Sequence, residues 1–134
     1  MRRKIAALLA VCIGLGFVLT SCGSDDDADT KAAFVYVGPV GDAGWTYAHD
    51  EGRQYAENET GIETAYVEAV PEGTADFANY VRDFIDQGYN IIIGTSFGYM
   101  DDMLALADEY PDVVFEYVSG YKMNDSNFGN TFGR

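Results

Sequence analysis

The run Phe77-Ala78-Asn79-Tyr80-Val81-Arg82-Asp83-Phe84-Ile85-Asp86-Gln87-Gly88-Tyr89-Asn90-Ile91-Ile92-Ile93-Gly94 holds the fold in miniature. Phe77, Tyr80, Val81, Phe84 and Ile85 fall at i, i+3, i+4, i+7 and i+8, the spacing of one apolar helix face. Gly88 stands where such a helix would stop, because glycine enters the left-handed region without a Cβ penalty. Ile91-Ile92-Ile93-Gly94 is apolar on both faces, which predicts a strand in the middle of a sheet covered on both sides. A helix feeding a doubly buried strand is the repeating unit of a parallel α/β sheet.

The same unit recurs in both directions. Upstream, Ala33-Phe34-Val35-Tyr36-Val37-Gly38 reads as a buried strand. Trp45 to about Asn58 reads as a helix, with Ala48, Gly52 and Ala56 stepping by four along a small-residue face and Gly61 closing it. Residues 62–68 form a second strand, and Pro71-Glu72-Gly73 a turn. Downstream, Tyr99, Met103, Leu106 and Tyr110 mark a third helix that ends before Pro111, and Val113-Val114-Phe115-Glu116-Tyr117-Val118 is a fourth strand. Past Ser119 the chain turns polar and glycine-rich. The order β-α-β-α-β-α-β predicts an α/β fold, a parallel sheet with helices on both faces. Such sheets bind ligands beyond the carboxyl ends of their strands, where the strand order reverses.

The first 21 residues have a different character. Arg2, Arg3 and Lys4 precede an uncharged apolar run from Ile5 to about Leu19, the shape of a signal peptide rather than of a bilayer span. Leu19-Thr20-Ser21-Cys22 closes it and resembles the lipobox of bacterial lipoproteins. That resemblance implies cleavage before Cys22 and lipid on its thiol and new amino group, and so a lipid anchor on the extracytoplasmic face of the cell membrane. Residues 22–30 are an acidic, self-repelling tether. The folded region is expected over 31–134.

The whole chain has 22 acidic and 8 basic residues, a formal net charge of −14. Residues 1–21 hold three basic residues and no acidic one, so their removal leaves −17. A surface that tracks nucleic-acid phosphates is excluded by that balance. Cys12 leaves with the leader and Cys22 is taken by lipid, so no disulfide is expected.

The candidate site lies in the loops after strands one and three. The first is Gly38-Pro39-Val40-Gly41-Asp42-Ala43-Gly44-Trp45-Thr46. Asp42 stands just before a helix, where a carboxylate accepts backbone N–H groups. Trp45 is the only tryptophan and either joins the core or offers a flat platform to a ligand. Neither phosphate-loop pattern is present, and the loop has no Lys or Arg, which disfavours a phosphorylated ligand. The second loop is Thr95-Ser96-Phe97-Gly98-Tyr99-Met100-Asp101-Asp102. Ser96 offers a hydroxyl, Phe97 a second aromatic face, and Gly98 a close backbone approach. The alternative is a strand-to-helix turn capped by Ser96 with Phe97 in the core. Ser119-Gly120-Tyr121-Lys122, after strand four, is the weaker signal.

His49 is the only histidine, and no nucleophile has a positioned base. Nothing calls for catalysis, a metal or a cofactor. The combination reads as a receptor lobe, with an extracytoplasmic enzyme or a ligand-sensing subunit as the other two classes.

The blocks at 34–46, 49–53, 67–73, 94–101 and 110–115, beginning Phe34-Val35-Tyr36-Val37-Gly38-Pro39-Val40-Gly41-Asp42-Ala43-Gly44-Trp45-Thr46, resemble the basic membrane protein (BMP) family of substrate-binding lipoproteins. The resemblance implies a type I periplasmic-binding-protein fold in which two α/β lobes close on a small molecule. It implies a purine nucleoside or nucleobase as ligand, an ABC transporter permease as partner, and no enzymatic activity. By position it points to Asp42, Trp45, Thr46, Ser96, Phe97 and Gly98 as ligand-binding residues, Trp45 as the stacking ring. Family nucleoside receptors often carry Phe where this chain has Trp45. The chain corresponds to the first lobe alone, which implies a piece of a longer gene product.

Overall fold

The computed structural model describes residues 30–132. The expected leader, the Cys22 expected to carry lipid, and the expected tether up to Asp29 lie outside the described residues. Five strands are described: β1 (Lys31–Val35), β2 (Glu63–Val67), β3 (Ile91–Gly94), β4 (Val114–Val118) and β5 (Phe128–Thr131). Three helices alternate with them: α1 (Trp45–Thr60), α2 (Asp76–Asp86) and α3 (Met100–Glu109), the last entered through a single 3-10 turn, Phe97–Tyr99. The sheet order is β2-β1-β3-β4-β5, and every pair is parallel. β3 is the middle strand, as its apolar run demands. The order reverses between β1 and β3, so the ligand crevice of this sheet opens there.

The main core lies on one face. Ala33, Val35, Ile92, Phe115, Tyr117 and Phe128 pack against Phe77 and Val81 of α2 and Met103, Leu106 and Ala107 of α3. Phe77 stacks on Tyr99 with ring centroids 4.3 Å apart, and the Tyr99 hydroxyl donates to the Val70 carbonyl at 2.6 Å. Each fully buried side chain of this size contributes about 1.5–3 kcal/mol. Tyr80, counted on the α2 stripe, sits at its margin and is exposed. A Cβ on Gly94 would overlap the Met103 thioether, so the bare backbone there lets α3 pack close on β3.

On the other face α1 attaches differently from its sequence pattern. Ala48 and Gly52 of the small-residue stripe are exposed, and only Thr46 and Asp50 of the helix are buried. The packing face is the polar row 46, 50, 53 and 57. Asp50 accepts from Arg53 Nε at 2.8 Å, Gln54 Nε2 at 2.7 Å and the buried Tyr36 hydroxyl at 3.3 Å. Arg53 also donates to Thr64 Oγ1 at 2.8 Å and Glu57 Oε2 at 3.1 Å, and lies 4.9 Å from the Tyr66 ring centre.

β5 is an addition to the four expected strands. Asn124 Oδ1 accepts from the backbone N–H groups of Ser126, Asn127 and Phe128 at 2.9–3.0 Å, which turns the chain back toward the sheet. Phe128 then inserts beside Tyr117, and β5 pairs along β4.

Candidate functional site

The carboxyl ends of β1, β2, β3 and β4 carry the loops in question. The three non-glycine residues with left-handed φ, among the described residues, all stand on this edge: Ala43 (52°), Ala69 (56°) and Ser119 (75°). Such angles cost roughly 1–2 kcal/mol per residue and persist where the surroundings impose them.

Asp42 organises the first loop. Its Oδ1 accepts from the N–H groups of Gly44 at 2.8 Å and Tyr47 at 3.0 Å, and its Oδ2 from Thr46 N–H at 3.0 Å. The hydrogen bonds from Tyr47, Gly44 and Thr46 hold its carboxyl below the usual range, so it stays ionised. Asp42 therefore serves the start of α1 from two residues before the Gly44 cap position. Thr46 is wholly buried under Gly38 and presents no surface to the crevice.

Trp45 is not a core residue. It is 47% exposed. Its indole Nε1 donates to the Thr95 carbonyl at 2.5 Å, so the ring bridges from α1 to the end of β3 across the switch point. The His49 ring packs behind it at 4.5 Å, with Nδ1 donating to the Trp45 carbonyl at 2.7 Å. The Thr95 hydroxyl is itself bonded to the Val35 carbonyl at 3.2 Å.

The second loop is held by Glu72, from the Pro71-Glu72-Gly73 turn. Ser96 does not cap the following turn; its hydroxyl donates to Glu72 Oε1, which also accepts Gly98 N–H at 2.8 Å. Those two bonds, Ser96 first, hold the Glu72 carboxyl below its ordinary value. A Cβ on Gly98 would overlap the Glu72 carboxyl group. Phe97 is exposed and outside the core, 6.4 Å from the exposed Tyr121 ring. The Phe97 carbonyl accepts the Tyr117 hydroxyl at 2.5 Å. Burial, then the charges of Glu72 and Asp101, push Tyr117 up to about 12. Lys122 forms an ion pair with Asp101 and ties the β4 loop to α3.

The chemistry of this edge is one-sided. The Trp45 N–H and the Ser96 and Tyr117 hydroxyl hydrogens are all engaged within the protein. Beside them stand the exposed rings of Trp45, Phe97 and Tyr121. The structure brings Trp45, Ser96, Phe97 and Gly98 together around the end of β3, with Asp42 beneath the start of α1. Sequence reasoning missed Glu72, Glu68 and Tyr117, and gave Tyr121 little weight.

A parallel sheet in the order β2-β1-β3-β4-β5, flanked by helices and with the exposed Trp45 ring at its switch point, is a doubly wound α/β lobe of the periplasmic-binding-protein kind. The family model of ABC transporter substrate-binding proteins described as PnrA-like matches residues 29–134. The chain belongs to that family, Bmp. A relative from Haloferax volcanii, named as an ABC transporter glucose-binding protein, is 40% identical over 119 residues, 86% of this chain and 29% of that protein. A purine-binding protein of Brucella abortus is 40% identical over 113 residues, 83% of this chain and 32% of that protein. The chain thus spans about a third of the length of these relatives. An ABC transporter solute-binding protein from Conexibacter woesei shares the fold, with a TM-score of 0.65 and 17% identity over 77% of this chain and 35% of that one.

Proposed function

We propose that the chain forms the first of two lobes of an extracytoplasmic receptor that passes a purine nucleobase or nucleoside to an ABC importer without altering it. The observation that carries this reading is Trp45, half-exposed and fixed by Thr95 at the switch point. A ring held this way offers a preformed stacking face, which lowers the ordering cost of binding. The Brucella relative's name supports a purine, and the Haloferax relative's name makes glucose the competing ligand to test.

Titration calorimetry of the complete two-lobed protein should detect adenine, guanine or their nucleosides and no glucose. Stacking contributes on the order of 1–3 kcal/mol per base, so Trp45→Ala should weaken binding about ten- to a hundredfold. Unchanged affinity in that variant, or binding of glucose alone, would sink the purine reading.

Lipid anchoring belongs to the same proposal and rests on Leu19-Thr20-Ser21-Cys22. Intact-mass measurement of the membrane fraction should find an acylated chain beginning at Cys22. A Cys22→Ser chain that is still cleaved there and still membrane-bound would contradict it.

A further inference from the structure

The loop between β2 and α2 touches both ligand-facing turns. Glu68 Oε2 accepts Val40 N–H at 2.6 Å, in the turn that leads to Asp42 and Trp45. Four residues on, Glu72 Oε1 accepts Ser96 Oγ–H and Gly98 N–H, in the turn that carries Phe97. Between them the backbone is stitched to the same two turns: Ala69 N–H to the Gly38 carbonyl at 3.1 Å, Val70 N–H to the Tyr36 carbonyl at 3.0 Å, and Tyr99 Oη–H to the Val70 carbonyl at 2.6 Å. Ala69 holds a left-handed φ of 56° to make the crossing.

The start of α2 does not use either glutamate: its cap position is Ala75, and Thr74 Oγ1 accepts the Asp76 N–H at 3.3 Å, while Glu68 and Glu72 reach to other loops. Hydrogen bonds to an ionised acceptor are roughly twice as strong as neutral ones. Gly98 is further shaped for this use, since any side chain there would displace Glu72.

We infer that Glu68 and Glu72 are positioning residues: the loop is a strap with a carboxylate at each end, which sets the β1 turn against the β3 turn and so fixes the gap between Trp45 and Phe97. Glu72 acts through Ser96, whose neighbour Thr95 holds the indole. Glu68 acts through Val40. This deepens the receptor reading and rests on it only for the ligand-binding measurement below.

Trp45 is the only tryptophan in the chain, so its emission reports the strap directly and without a ligand. The full chain is compared with Glu68→Ala, Glu72→Ala, Glu72→Gln and Ser96→Ala, and with the double variant Glu72→Ala/Ser96→Ala. In Glu72→Ala, emission should move several nanometres to the red and acrylamide quenching should rise about twofold, with far-UV dichroism unchanged. Glu72→Gln keeps an acceptor oxygen and should restore most of the wild-type signal, which a general loss of packing would not allow. Ser96→Ala should shift emission the same way, and the double variant should go no further, since coupled sites are not additive. Glu68→Ala should shift emission independently. Purine affinity, measured on the complete two-lobed protein, should fall about tenfold in Glu72→Ala. Folded Glu72→Ala and Ser96→Ala chains with wild-type emission and quenching overturn the strap, even where the wild type binds purine. An emission shift rescued by Glu72→Gln, with no purine bound by the complete two-lobed protein, upholds the strap and removes the purine reading.

Discussion

Asp50→Ala is expected to destabilise the lobe by about 3–5 kcal/mol, the cost of removing one partner from a buried ion pair. Asp50 is 8% exposed and accepts three hydrogen bonds, from Arg53, Gln54 and Tyr36. Its removal leaves the buried Tyr36 hydroxyl without its acceptor and Arg53 Nε without its carboxylate, with only Glu57 and Thr64 left to the guanidinium, beneath a helix that has little apolar packing to fall back on. Domains of this size are stable by about 5–15 kcal/mol, so a third or more of the total is at stake. Urea unfolding followed by far-UV dichroism measures it. Glu57→Ala, at the exposed end of the same seam, should cost no more than about 1 kcal/mol. The pH dependence has a definite sign. Burial raises the Asp50 carboxyl, but the bonds from Arg53 and Gln54 outweigh it and hold the folded-state value below the unfolded one. Its contribution is therefore complete above the unfolded carboxylate value, about 3.9, and is lost as the pH falls through the depressed folded value. An Asp50→Ala loss below 1 kcal/mol would mean that α1 is held by something other than this seam.

The same seam explains where the sequence misled. The α2 stripe and the Ile91-Ile92-Ile93 run were legible because apolar side chains there do what their period says. α1 offered a small-residue stripe at Ala48, Gly52 and Ala56, yet its buried row carries Asp50 and Arg53. Charged residues read as solvent-facing, and only the facing Tyr36 and Thr64, which no local pattern supplies, make their burial favourable. β5 was unreadable for a related reason. Phe128-Gly129-Asn130-Thr131 has weak strand propensity, and it pairs because Phe128 is drawn into the core.

The candidate site divides in the same way. Trp45, Ser96 and Phe97 follow from topology: they sit after β1 and β3, at the reversal of strand order. Asp42 was legible as a helix-start carboxylate, though it acts from a position earlier than a cap. Glu68 and Glu72 were not legible. Their chemistry depends on which turns lie across the sheet edge from them, and a turn sequence such as Pro71-Glu72-Gly73 does not contain that information.

Asn127→Asp should be the most damaging single change outside the α1 seam, at roughly 4 kcal/mol, because it removes shared donors and adds an unpaired charge. The Asn127 amide nitrogen lies 2.9 Å from the Ala107 carbonyl, 3.1 Å from that of Tyr110 and 2.9 Å from that of Val113. Its two hydrogens, shared among three oxygens, tie the end of α3 and the start of β4 to the chain just before β5. Its own oxygen accepts from Asn124 Nδ2 at 3.0 Å, in the turn that brings Phe128 home. A carboxylate at 127 would face three carbonyl dipoles with no proton to give. Asn127→Ala leaves the carbonyls unpaired but adds no charge, and should cost about 2–3 kcal/mol. The aspartate variant carries a distinguishing signature. Those dipoles raise the folded-state value of the new carboxyl above its unfolded one. The penalty is then largest at neutral pH and shrinks as the pH falls through the raised value, where a protonated carboxyl can again donate. Thermal melts at pH 7 and pH 5 should show Asn127→Asp recovering relative to Asn127→Ala on acidification. If both variants melt within a degree or two of wild type at pH 7, the amide does not hold β5 in place.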